Sequence, residues 1–286
     1  MSYSPWMSDD VRMMQDSVRR LLEKEFLPHR ERWDNEGIVD RPAWLKAGEA
    51  GILCPSIPEA YGGGGGTKAH DAMLAQEVER VGLGGGFGVG IGTHAMIAHY
   101  VLAYGSEEQR QRWLPAMSRG DFIGAVAMSE PGTGSDLRAI RTKAVKVDGG
   151  YRVSGQKIFI SNGQNADLIV TVCRTGEHDT KGISLLVVEA SSEGFRRGRN
   201  LEKLGLHAQD TSELFFDEVF VPDANLLGAE EGLGFGQLMN QLVWERMLCA
   251  LGAVVSMELA VDYTVDYVKQ RKAFGKTIFD FQNTQF

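Results

Sequence analysis

Cysteine is scarce in these 286 residues, and the three present, Cys54, Cys173 and Cys249, are far apart. An odd and scattered set excludes a disulfide framework and a paired-cysteine metal site. No His-Glu-x-x-His pair and no Gly-x-Ser-x-Gly elbow occurs, so zinc-dependent and serine-nucleophile hydrolysis have no support. No metal ligand set is expected. Cations are also in deficit: 30 Lys and Arg against 38 Asp and Glu leave a net charge of −8, unlike a general nucleic-acid binder. Long apolar runs are missing; Met247 to Met257, uncharged for only 11 residues, is too short for a bilayer crossing, so no transmembrane segment is expected. The opening MSYSPWMSDD has neither a basic start nor an apolar centre, so the reading is of a cytoplasmic protein without a targeting peptide. Glycine, by contrast, is abundant: 35 of 286 is about 12%, against roughly 7% in average proteins.

The pattern divides into three segments. Residues 1–119 have helical spacing: Val11, Met14, Val18, Leu21, Leu22 and Phe26 form one stripe, with Asp9 or Asp10 available as cap and Pro28 as limit. Further helices are expected at 43–50, 68–81, 94–104 and 106–117, with glycine-rich connections at 62–66 and 84–92. Residues 120–228 change to a period of two. Ala144 to Asp148 alternates, Gly149-Gly150 turns the chain, and strands are expected at 167–173, 183–188 and 213–221, giving a β-sandwich or barrel. Residues 229–286 return to helical spacing, with Val243, Met247, Ala250, Leu251, Val254, Val261, Val265 and Val268 on one long helix. The order helical, β, helical predicts an α+β fold: a helical N-terminal domain, a middle β-domain and the first helices of a C-terminal bundle.

Two phosphate-loop imitations fail. Gly90-Ile-Gly92-Thr-His-Ala95 matches a dinucleotide fingerprint but follows no strand, and Gly275-Lys276-Thr277 has Gln270 where a P-loop requires glycine. One charged pair stands out instead. Glu245 and Arg246 are the only charges between Glu231 and Glu258. A helix apolar on every side is usually buried, so Glu245 is expected in surroundings that raise a carboxyl pKa toward that of a general base. The plainer reading is a buried Glu paired with a cation elsewhere, or an exposed Glu on a helix whose far side faces a cleft.

Six stretches in order carry a family resemblance: Ala127-Met-Ser-Glu-Pro-Gly-Thr-Gly-Ser-Asp136, Gly155-Gln-Lys-Ile-Phe-Ile-Ser-Asn-Gly163, Pro58-Glu-Ala-Tyr-Gly-Gly63, Tyr104-Gly-Ser-Glu-Glu-Gln109, Lys203 to Thr211, and Arg271-Lys-Ala-Phe-Gly-Lys-Thr-Ile278 with Phe281-Gln282. The whole chain resembles the acyl-CoA dehydrogenase family, most closely its long-chain and isovaleryl-type subset. The resemblance implies FAD as cofactor, an acyl-CoA thioester as substrate, and α,β-dehydrogenation in fatty-acid or branched-chain metabolism. It implies an electron-transfer flavoprotein as acceptor and a homo-oligomer, a dimer or homotetramer, as the active unit.

Roles follow by position. Val126, Met128, Ser129, Thr133 and Ser135 would line the flavin, with Ser135 also near the substrate. Phe159, Ile160 and Ser161 would lie on the strand beside the ring, an aromatic to stack and a hydroxyl to bond. Arg271, Phe274 and Gln282 would reach the FAD of a neighbouring subunit, and Val243 and Arg246 would contact substrate. Glu245 falls where the subset has its catalytic base. Two alternatives stand beside this reading: a flavin oxidase or monooxygenase of the same fold, and a non-catalytic fragment that binds acyl-CoA or a partner. The chain stops at Phe286 in a helical pattern without a capping Gly or Pro, and reads as truncated within its third segment.

Overall fold

Val11, Val18, Leu22 and Phe26 bury one face of the first helix, as their spacing requires. A computed structural model describes residues 6–286; the first five residues of the N-terminal stretch lie outside that range. The helix α1 (Asp9–Leu21) begins after Ser8, not at an aspartate cap; Asp9 and Asp10 occupy its first turn, where carboxylates complement the helix dipole. Pro28 does not end the helical path. The chain passes through a π-helical turn at Leu22–Phe26 and a tighter turn at Leu27–His29 into α2 (Arg30–Glu36). Proline at the start of a helical turn forfeits no hydrogen bond.

The remaining helices of this part are α3 (Arg41–Glu49), α4 (Lys68–Arg80), α5 (Val89–Tyr104) and α6 (Glu107–Ser118). Reciprocal caps start two of them: Thr67 with His70 on α4, and Ser106 with Gln109 on α6. Gly84–Gly88, expected as a connection, is itself a helical turn running into α5, which begins five residues before His94. Packing decides this: a side chain at Gly86 would come within 2.3 Å of Ala208, so only glycine admits that approach. The helices close over Trp33, Trp44, Trp113, Phe26 and Phe87.

The β-domain holds β1 (Gly124–Ala127), β2 (Lys143–Val147), β3 (Gly150–Ser161), β4 (Leu168–Arg174), β5 (Ile183–Glu189), β6 (Phe195–Asn200), β7 (Thr211–Pro222) and β8 (Leu226–Leu227). Gly149 at φ 73° makes the expected turn between β2 and β3. The strands follow the order β6-β7-β3-β2-β4-β5-β8, with β1 parallel to β4. One residue pair, Lys143 with Arg174, joins β2 to β4. The sheet therefore folds over at that junction, and side chains from both limbs (Val153 and Leu214 from one, Ile169 and Leu186 from the other) share a core. Strands β4 and β5 are buried on both faces, since Leu168, Val170 and Val172 point the other way into the helical core.

His94 pins the two parts together. Its Nδ1 accepts the Gly124 N–H at 3.1 Å and its Nε2 faces the Met117 carbonyl at 3.1 Å. Burial pushes its pKa down to about 4, so the ring is neutral at neutral pH.

The third part is α7 (Gly234–Gln270), a small hairpin of β9 (Lys272–Ala273) and β10 (Lys276–Thr277), and α8 (Gln282–Gln285). The single long helix matches the apolar stripe. Its burial does not match: only Gly234, Gln237, Leu238 and Val255 are buried, while Val243, Met247, Val254 and Val261 are exposed. At 37 residues it is also long and apolar enough, by length and composition, to cross a membrane, which the uncharged run of 11 residues did not suggest. Its inner side packs along α4 and α5.

Candidate functional site

Helix α7 meets α4 on one side and α5 on the other. Arg80 of α4 reaches toward Glu258 at 3.7 Å, and Lys68 sits 4.9 Å above the Trp244 ring, so the two helices run the same way. Between the three helices lies an apolar slot of about 520 Å³, lined by Leu74 and Val78, Ile91 and Met96, and Leu248 and Gly252. Ser161, at the end of β3, also borders it.

Glu245 is half-buried on the face of α7 that carries Leu248 and Gly252. The buried Tyr100 hydroxyl of α5 donates to its Oε1 at 3.0 Å. Burial pushes the Glu245 carboxyl above its ordinary pKa, and the Tyr100 hydrogen bond and the Arg246 charge offset this only in part. The cause differs from the expected one: α4 and α5 desolvate this face, whereas the rest of the helix is open. Burial and the facing carboxylate also push the Tyr100 phenol up, so it remains a donor.

A second cavity of about 570 Å³ lies where α7 crosses the β-domain. Met128, Ser129 and Ser135 border it from the β-domain, and Phe235, Met239 and Arg246 from α7. Four expected site residues thus share one cleft, and Arg246 sits next to Glu245.

The strand beside it is held by a buried ion pair. Lys157 Nζ donates to Glu130 Oε1 at 2.9 Å and to the Met128 carbonyl at 3.0 Å. Glu130 also accepts the backbone N–H groups of Arg141 (2.8 Å) and Thr142 (2.9 Å). Burial pushes the Glu130 pKa up, but Lys157 and Thr142 more than reverse it, and the carboxyl lies below its ordinary value. Burial lowers Lys157 in turn. The pairing of β3 with β7 then slips between Lys157 and Ile160, a bulge in which Ile158 N–H donates to the Ser129 carbonyl at 3.0 Å. Phe159 stands in this bulge at φ 62°, two-thirds exposed. An aromatic residue held there carries backbone strain, on the order of 1–3 kcal/mol, of the kind that collects at functional sites. Phe274 repeats the feature at φ 53°, fully open on the β9–β10 turn with its ring edge-on to Phe281.

Other expected residues fall elsewhere. Ile160 is 2% exposed and faces the β-domain core. Val126 lies against the helical core. The Thr133 hydroxyl is engaged inside its own turn, donating to the Ala139 carbonyl at 3.1 Å. Val243 is 70% exposed on the outer face of α7 and borders neither cavity. Arg271, Phe274 and Gln282 are exposed beyond the end of α7, outside both cavities. Sequence reasoning missed Tyr100, which no motif marks and which lies 145 residues from its partner. It quoted Glu130 and Lys157 within motifs without giving them a role.

Comparison with known proteins follows the same three parts. Residues 8–121, 125–219 and 232–286 match the models of the acyl-CoA dehydrogenase N-terminal, middle and C-terminal domains. The long-chain specific acyl-CoA dehydrogenase, mitochondrial, of Sus scrofa is 42% identical over 97% of this chain, which spans 65% of that protein. An acyl-CoA dehydrogenase structure from Geobacillus kaustophilus superimposes with a TM-score of 0.95 at 48% identity, covering 99% of this chain and 75% of that one. A Bacillus anthracis acyl-CoA dehydrogenase complexed with FAD superimposes with a TM-score of 0.90 at 30% identity, covering 99% of this chain and 48% of that one. The chain spans just under two thirds of the length of the long-chain relatives it matches.

Proposed function

The chain belongs to the acyl-CoA dehydrogenase family, and on that premise we propose that it oxidises an acyl-CoA thioester between its α- and β-carbons, with Glu245 as base and FAD as cofactor. The observation that carries the reading is the setting of Glu245. It combines a raised pKa, a single hydroxyl partner, an apolar slot that opens one turn further along α7 at Leu248 without including Glu245 in its lining, and the cleft of Met128, Ser129 and Ser135 that Arg246 borders.

A proton on the carbon next to a thioester is very weakly acidic, so removing it needs a positioned base whose pKa has been brought toward neutrality. Desolvation does this for Glu245, and Tyr100 fixes the direction of its free oxygen. The slot between α4, α5 and α7, one turn along α7 from the carboxylate, takes the acyl chain by apolar burial.

FAD, when bound, supplies the hydride acceptor. The residues present fit it. Met128, Ser129 and Ser135 offer one cleft wall, Ser161 a hydroxyl, and Phe159 an aromatic face already turned out of the sheet. Arg271, Phe274 and Gln282, exposed and remote from this cleft, suit the cofactor of another copy, Arg through its fork of donors. This places a homo-oligomer in the proposal. An electron-transfer flavoprotein completes it as acceptor.

Anaerobic titration of the flavin-loaded protein with acyl-CoAs of graded length tests the reading. Bleaching of the flavin absorbance is expected, with slow recovery in air. Unchanged absorbance at every length overturns it, and rapid recovery in air assigns an oxidase.

A further inference from the structure

The apolar slot ends in a carboxylate. Glu79, one turn past Ala75 on α4 and next to Val78, borders the slot together with Ser256, whose hydroxyl donates to Glu79 Oε2 at 3.1 Å. Its carboxyl lies against glycine. A Cβ at Gly84 would lie 2.1 Å from the Glu79 carboxyl, so the missing side chain there leaves room for the group beside the slot, and one at Gly252 would be in ordinary contact at 3.5 Å from Oε1. The adjacent Arg80 is occupied by Glu77 at 3.5 Å and Glu258 at 3.7 Å. Among the described residues Glu79 has no ion-pair partner. The other carboxylate on the slot wall, Asp71, is held by the Ser56 hydroxyl at 2.6 Å and faces His99 at 3.1 Å. An ordinary surface glutamate would extend into water; this one lies against Gly84 at the border of an apolar channel.

Ser256 is 11 residues beyond Glu245, so the pair stands about 16 Å along α7 from the base. We propose that Glu79 and Ser256 form a polar stop for the acyl chain, setting the longest chain accepted and rejecting chains that end in a second carboxylate. This rests on the reading of the slot as the acyl site. A terminal methyl group that reaches Glu79 displaces water from a carboxylate and gives nothing back, and a terminal carboxylate meets like charge. The pair acts on which substrate fits, not on the reaction.

Equilibrium dialysis of acyl-CoAs against the full chain tests this without relying on turnover. For saturated chains, affinity should rise about fourfold per methylene until the stop is reached, then level or fall. In Glu79→Leu the break should move to longer chains, and in Ser256→Ala, which frees the carboxylate to swing out, it should move the same way by less. At a length that reaches Glu79, an ω-carboxyacyl-CoA should bind about fivefold more weakly than its methyl-ended counterpart, and Glu79→Gln should remove most of that difference. Glu79→Gln keeps the shape, so it remains informative if Glu79→Leu fails to fold. An unchanged break in a folded Glu79→Leu, or an ω-carboxylate penalty that survives Glu79→Gln, overturns the polar stop and leaves the acyl site standing. Failure of every acyl-CoA to bind overturns the acyl site, and the stop with it.

Discussion

Two carboxylates, one buried and one half-buried, are treated in opposite ways within the same fold. Glu130, at the corner where β2 leaves the β-domain loop, receives two backbone N–H groups and the Lys157 ammonium, and its pKa falls. Glu245, between helices, receives one phenol, and its pKa rises. Burial pushes both upward. What separates them is first the Lys157 charge beside Glu130 and then its additional hydrogen bonds, all of which stabilise the charged form. A fully satisfied acid holds a strand in place and is chemically idle. An acid with one partner and a raised pKa is available to take a proton.

Replacing the base should produce the largest effect. Glu245→Gln keeps shape and the Tyr100 contact but cannot accept a proton, so flavin reduction by acyl-CoA should slow about 10²- to 10⁴-fold while flavin content stays normal. Near-normal reduction in stopped-flow absorbance would place the base elsewhere and dissolve the contrast with Glu130.

Next comes the idle acid's partner. Lys157→Met leaves the Glu130 charge buried with two N–H donors and no cation, which should cost about 3–5 kcal/mol in urea unfolding. Because Lys157 also holds the Met128 carbonyl and precedes the bulge at Phe159, flavin content should fall as well. A variant of unchanged stability would show that the pair contributes only geometry.

Tyr100→Phe sharpens the comparison by taking Glu245 from one donor to none. The hydroxyl lowers the Glu245 pKa, so its loss should raise that pKa further. The pH at which flavin reduction sets in should then move upward, with a rate loss of about tenfold below the shifted limb. A profile that does not move would mean that Tyr100 serves packing alone.

How much of this was legible depends on the range of each interaction. The Gly149 hairpin, the helices that start near Lys68 and Ser106 and the single long helix α7 are local, and spacing alone foretells them, although their caps at Thr67 and Ser106 are seen only in the structure. The helical state of Gly84–Gly88 is not local, since it depends on Ala208 lying against Gly86. Nor is the fold-over of the sheet, which turns on one pairing between Lys143 and Arg174. Glu245 was legible as an isolated charge on an apolar helix, yet its surroundings were misjudged. Apolarity all round suggested general burial, whereas only the side against α4 and α5 is covered. The cleft residues Met128, Ser129 and Ser135 came from a contiguous motif and stay together. Phe159 and Phe274 share a backbone property, positive φ, that no pattern of residue types encodes.

The smallest expected effect is thermodynamic and has opposite signs at the two acids. The Glu245 carboxyl titrates higher in the folded chain than in the unfolded one, so between its ordinary value of 4.5 and that raised value the folded state holds more protons. Stability therefore falls as pH rises through that window, and at neutral pH the fold carries the cost of a desolvated charge. Glu130 titrates lower when folded, so its contribution is present above its ordinary value and is lost as pH falls toward the lowered one. Urea midpoints at about pH 4 and about pH 7 separate the two cases. Glu245→Gln should match the wild type at the lower pH and equal or exceed it at the higher, gaining stability where it loses function. Glu130→Gln should be less stable than the wild type, by more at the higher pH than at the lower. If Glu245→Gln is instead the weaker protein at neutral pH, its carboxylate is a structural group like Glu130, and the distinction between a satisfied acid and a poised one fails.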